Sequence, residues 1–195
     1  MTKPPRSVRT RLADVPRHYK ALGYALEQFE SEEAYVAAAT STDPSELARA
    51  YAVERPFELL ENYVIELAHL GLIEAGAIAA AESTTGREDL RSLAASRVIT
   101  KTLRDRLVEL HELRNQLVHE YPDVKAHRLY AAATALLPLV RDFIARYLAW
   151  LADLGFETSR GRLPSARRRR RPRRAAGRST RGPGRPLHAT GRLGR

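Results

Sequence analysis

The stretch Arg114-Asn115-Gln116-Leu117-Val118-His119-Glu120-Tyr121 sets an arginine, an asparagine, a histidine and a tyrosine beside the apolar Leu113, Leu117 and Val118. Those residue types suit cleavage of an RNA phosphodiester without a metal. One group must take the proton of a ribose 2′-hydroxyl, and another must protonate the departing 5′-oxygen. An imidazole that titrates near neutrality does either job. Charge grows on the phosphate oxygens in the transition state, and arginine meets it with a permanently charged planar fork of donors. Asn115 is placed to orient His119 or to donate to phosphate, and Tyr121 can stack on a base or hydrogen-bond.

Position decides whether these groups can cooperate. On an ideal helix Arg114 and His119 point about 140° apart, whereas Asn115 and His119 share a face. Convergence of Arg114 and His119 therefore needs a helix that loosens at its end or a second copy of the motif facing the first. Pro122 supplies the former and a two-fold dimer the latter.

The elements that must hold this segment all read as helix. From about Asp14 to Leu154 the chain is rich in Ala, Leu, Glu and Arg, and no segment alternates at period two long enough for a strand. Val15, Tyr19, Leu22, Leu26 and Phe29 form one stripe. Whether Ser31-Glu32-Glu33 prolongs that helix or begins another turn stays open. Asp43 as cap and Pro44 at the first position start a second long helix, expected to run to about Ala81. Its apolar side is Leu47, Tyr51, Leu59, Tyr63, Leu67 and Leu70, with a kink or split at Pro56 and an end at Ser83-Thr84-Thr85-Gly86. A short helix or turn over 87–96 precedes a helix from near Ser96, with Ile99, Leu103, Leu107, Leu110, Leu113 and Leu117 on its inner side. Tyr121-Pro122-Asp123 ends that helix. The last one, about Val124 to Asp153, turns Leu129, Ala133, Leu136, Val140, Phe143, Tyr147 and Trp150 inward and closes at Gly155. The expected architecture is all-α, an antiparallel bundle of four to five helices.

Charge separates the chain into parts. Its net charge is +10, yet residues 157–195 carry 14 Arg and one acid, which leaves −3 on residues 1–156. The basic balance thus describes a tail rich in Arg, Pro, Gly and Ser, which lacks the apolar surface to fold by itself. The expected organisation is a flexible N-terminus over 1–13, a helical domain over 14–156 and a disordered basic tail over 157–195. Such a tail could hold RNA, DNA or ribosomes electrostatically, or be a dispensable extension. There is no cysteine, which excludes disulfides and Cys-based zinc sites. Met1 is followed by a polar opening without a signal-peptide core, and no run of about 18 apolar residues exists. A cytoplasmic location is expected.

The segment Arg114–Tyr121 resembles the R-N-x-L-V-H-x-Y signature of HepT-like toxins in the HEPN superfamily. The likeness extends to Ala50-Tyr51-Ala52-Val53-Glu54-Arg55 and the helix through Glu66, and to the helix from Val124 onward, covering about 14–153. The resemblance implies a homodimeric HEPN bundle whose motifs meet in a cleft between protomers. It implies a metal-independent endoribonuclease, the toxin of a toxin–antitoxin system of the HepT/MntA kind, with Arg114 and His119 catalytic and no cofactor. It further implies an MntA-like nucleotidyltransferase antitoxin that attaches AMP to the motif tyrosine, here Tyr121. The family's second helix usually carries an acid pair of the form Glu…Asp; here Glu58, Glu61 and Glu66 are the candidates.

Blander readings stand beside these. Arg114 and His119 could be a structural pair closing a helix, though the surrounding pattern favours catalysis. Tyr121 could be only a helix-end anchor. His111-Glu112 begins like a zinc-binding H-E-x-x-H helix, but Asn115 takes the place of the second His, and His111 and His119 lie about 12 Å apart along a helix, too far to share a metal. His111 lies on the same stripe as Asn115 and His119 and could border the cleft, but a surface position is expected for it. Asn62, Glu66 and His69 form a polar stripe best read as a solvated face. A non-catalytic HEPN module that binds a nucleotide or a partner is the alternative function.

Overall fold

The computed structural model describes residues 2–117, 122–158 and 163. Six α-helices and no strands form among them: α1 (Arg6–Glu27), α2 (Glu32–Ala39), α3 (Pro44–Glu74), α4 (Gly86–Ala95), α5 (Lys101–Leu117) and α6 (Pro122–Asp153). The all-α expectation is met. None of these helices is long and apolar enough to cross a membrane. His119, Tyr121 and most of the Arg-rich tail lie outside the described residues.

The first helix begins earlier than its stripe suggested. Within the stretch 1–13, α1 starts at Arg6 and Val8 is completely buried. Val8 extends the stripe of Val15, Tyr19 and Leu22 by two further turns, so its burial holds the start of the helix down. Thr2 also pairs with the other end of the body: its N–H donates to Gly155 O, and its carbonyl accepts from Glu157 N–H. Beyond that point Leu163 is buried in the common core.

Local chemistry sets the boundaries between the next elements. The Ser31 hydroxyl accepts from Ala34 N–H and starts α2 as a separate helix. Asp43 caps α3 through Ser45 N–H, with Pro44 at the first position as expected. Helix α3 stops at Glu74, short of the expected Ala81, because Gly76 adopts φ +68° and returns its N–H to Ile73 O. Thr85 is a start rather than a stop: it forms a capping box with Glu88 and launches α4. Pro56 does not split α3. The carbonyl its ring leaves without an N–H partner belongs to exposed Ala52, while Val53, Phe57 and Leu60 are buried and hold the helix in place.

Helix α3 packs against all five others. It therefore has more than one apolar side, and the single stripe drawn from sequence is only partly right: Tyr63 and Leu67 are buried, but Tyr51 is 60% exposed. Arg49 reaches Gln28 O and Arg11 pairs with Glu66, so α1 and α3 run antiparallel. At the far end of α3 a Cβ on Gly71 would lie 2.5 Å from Trp150 and 2.8 Å from Tyr147, which lets α6 approach closely. The expected inner face of α6 from Leu129 to Tyr147 is buried, with Trp150 packed at its edge.

Candidate functional site

Helix α5 presents the described half of the motif. Leu103, Leu107 and Leu110 are buried and fix its rotation. That rotation turns His111 between α3 and α4 and leaves Asn115 exposed. The first turn of α4 closes the other wall. A Cβ on Gly86 would lie 2.8 Å from Ile65 Cγ2 and 3.3 Å from His111 Nε2, so any side chain there would force Ile65 to shift and crowd His111. An ion pair between Arg87 and Glu112 ties α4 to α5 beside it.

Four side chains form a continuous line from the core to the surface. Glu61 on α3 is buried, 3% exposed, and its Oε1 lies 2.6 Å from His111 Nδ1. His111 Nε2 lies 3.5 Å from Asn115 Nδ2. Asn115 Oδ1 accepts from Arg114 Nη1 at 3.1 Å. Two atoms of this line are enclosed without a hydrogen-bond partner, Glu61 Oε2 and Arg114 Nε. Buried polar atoms are paired in the great majority of cases, so each of these two carries a desolvation cost that no hydrogen bond returns. On the far side Arg128 of α6 donates to Gln116 Oε1 at 2.9 Å, which brings a second guanidinium beside the motif.

The three candidate acids of α3 separate clearly. Glu58 pairs with the exposed Arg55 at 3.4 Å, and Glu66 pairs with Arg11. Glu61 alone of the three joins the line to Asn115 and Arg114. His111, expected at the surface, is partly buried and bonded to that acid. The only sequence signal for it was its spacing of four from Asn115. The stripe Asn62, Glu66 and His69 does not enter the line; His69 instead contacts Asp89 of α4 at 3.2 Å. No group of three or more His, Asp or Glu is placed to hold a metal ion among the described residues. His119 and Tyr121 fall outside those residues.

Chemically, the described part is an arginine donor set held at the surface by an amide and backed by a buried carboxyl–imidazole pair. Such an arrangement can grip an anionic oxygen. The family model for HepT-like ribonucleases matches residues 25–147. No curated protein and no solved structure gives a match. The match runs from the end of α1 to within two turns of the end of α6 and takes in every residue of the line, so this chain belongs to the HepT-like ribonuclease family.

Proposed function

We propose that the protein is the toxin of a toxin–antitoxin system and an endoribonuclease that cuts RNA through Arg114 and His119. The observation that carries this reading is Arg114 seated on Asn115 at the surface end of the Glu61–His111 line, in a chain of the HepT-like ribonuclease family. His119 serves as base or acid. The 2′-hydroxyl gives up its proton, its oxygen attacks phosphorus, and the bond to the 5′-oxygen breaks as that oxygen takes a proton. The products are a 2′,3′-cyclic phosphate and a 5′-hydroxyl. Arg114 donates to the phosphate oxygens as their charge grows, and Asn115 orients it. The site is completed in a homodimer, where two motifs face one cleft. An MntA-like nucleotidyltransferase restrains the toxin by placing AMP on Tyr121, all in the cytoplasm.

One set of expressions tests this. Wild type should arrest growth and degrade RNA in cells, while His119→Ala and Arg114→Ala should do neither. Wild type purified with an MntA-like nucleotidyltransferase should gain the mass of AMP, lost in Tyr121→Phe, and should scatter light as a dimer. Equal growth and intact RNA in all three strains would dismiss the nuclease reading in favour of a non-catalytic binding module. A monomer at micromolar concentration would remove the shared cleft.

A further inference from the structure

We infer that Glu61 and His111 are positioning residues for the Arg114 guanidinium, and that they hold it only while His111 is neutral. This rests on the ribonuclease reading for its catalytic consequence, but not for its geometry.

The polarity of the line follows from what each group can do. Arginine donates and never accepts, so the Asn115 oxygen must face Arg114 Nη1, as it does at 3.1 Å. The Asn115 amide nitrogen is then turned to His111 Nε2, 3.5 Å away, and needs a lone pair there. A neutral imidazole with an acceptor at Nε2 carries its proton on Nδ1. That proton points at Glu61 Oε1, 2.6 Å off. Every donor in the line thus points inward, and the buried carboxyl is the terminal acceptor. Glu61 has little freedom to do otherwise, being 3% exposed and fixed on the central helix.

A second proton on His111 reverses one link. Nε2–H becomes a donor, and the Asn115 amide must rotate to offer its oxygen. Its NH₂ group then faces Arg114, two donors meet, and the guanidinium loses its acceptor. Glu61 comes from α3; α4 brings Arg87, already paired with Glu112; α5 itself brings Glu112 and Arg114; and α6 brings Arg128, engaged by Gln116 a turn further on. Among these groups Glu61 is the one bonded to the His111 ring nitrogen Nδ1. The grip on phosphate is therefore tied to the protonation state of His111, kept with the neutral ring and lost with the doubly protonated one.

The test is a pH profile of kcat/KM on a labelled oligoribonucleotide for the full chain and for His111→Gln, with His111→Ala beside them. Glutamine retains an acceptor and a donor but does not titrate. At pH 8 His111→Ala should lose about tenfold, the worth of one hydrogen bond to a charged group, mainly as a higher KM. His111→Gln should keep more of the rate there. On acidification the wild-type rate should fall further than that of His111→Gln, because one of its titrating groups is gone. A second readout needs no cleavage: the Arg114 side-chain Nε–H signal in an NMR spectrum should shift less with pH in His111→Gln than in wild type. Identical profiles and an Arg114 signal insensitive to His111→Gln would overturn the inference. If wild type cuts no RNA, only the ribonuclease reading falls, and the NMR arm still decides the geometry.

Discussion

Helix α3 makes two carboxyl–histidine contacts to its neighbours, and they end differently. Toward α4, both oxygens of Asp89 are engaged: Oδ1 accepts from the Thr84 hydroxyl at 2.6 Å and Oδ2 lies 3.2 Å from His69 Nδ1. His69 Nδ1 also lies 3.1 Å from the Thr84 oxygen, so the three side chains close a ring. Toward α5, Glu61 uses one oxygen on His111 and leaves the other enclosed without a partner, and the line runs on to exposed Asn115 and to Arg114. Both acids are almost wholly buried, Asp89 at 2% and Glu61 at 3%. Burial alone therefore does not tell structure from function. A closed, satisfied polar cluster returns its desolvation cost as stability; an open one leaves part of that cost standing and directs its remaining donors outward.

The contrast is sharpest if the closed ring is cut. Asp89→Ala leaves the Thr84 hydroxyl and the His69 ring without their acceptor in a part-buried place. The expected loss is about 1–3 kcal/mol of unfolding free energy. Urea unfolding measures it. RNA cleavage per folded molecule should be unchanged, since Asp89 touches nothing in the line to Arg114. A folded Asp89→Ala protein that no longer cuts RNA would erase the distinction between the two contacts.

Gly86 forms the wall between them, and it breaks the comparison from the other side. A Cβ there meets Ile65 Cγ2 at 2.8 Å and stands 3.3 Å from His111 Nε2. Overpacking of this kind costs about 1–3 kcal/mol. Alanine recovers up to ~1 kcal/mol through helix preference, so Gly86→Ala should lose about 1 kcal/mol net. Cleavage should fall more than that loss suggests, because the intruding methyl displaces His111 and not His69. A stability loss with cleavage intact would mean that the placement of His111 is loose.

The same contrast explains what could be read from sequence. Stripes such as Leu103, Leu107 and Leu110, or Leu129 through Tyr147, follow from helical period and are buried as expected. The motif itself is eight consecutive residues, so the family resemblance it carries is visible without a fold. Glu61 and His111 are 50 residues apart, and no period links them. Glu58, Glu61 and Glu66 are equivalent acids until the rotation of α3 is known, and that rotation was obscured because the helix is apolar on several sides. The 60% exposure of Tyr51 is the same failure seen from the solvent. Local capping was ambiguous for another reason: Ser83-Thr84-Thr85-Gly86 contains residues that stop helices and residues that start them, and only the bond of Thr85 N–H to Glu88 settles which role wins.

That cap gives the smallest of the expected effects. Thr85 Oγ1 accepts from Glu88 N–H at 3.3 Å while Glu88 Oε2 accepts from Thr85 N–H at 2.7 Å. The Thr85 N–H, and then the Thr85 hydroxyl that donates to the same Glu88 oxygen at 2.9 Å, hold the Glu88 carboxyl below its ordinary range. Thr85→Ala removes the hydroxyl and keeps the backbone donor, so α4 should lose about 0.5–1 kcal/mol. Thr85 sits between Thr84 of the closed ring and Gly86 of the open line, and fraying there frees both. Hydrogen exchange at the first amides of α4 should therefore quicken while those of α3 and α6 hold. If the α4 amides exchange no faster, the start of α4 is held by the Arg87–Glu112 pair and by packing on Ile65 rather than by its cap, and the wall behind His111 belongs to α5 as much as to α4.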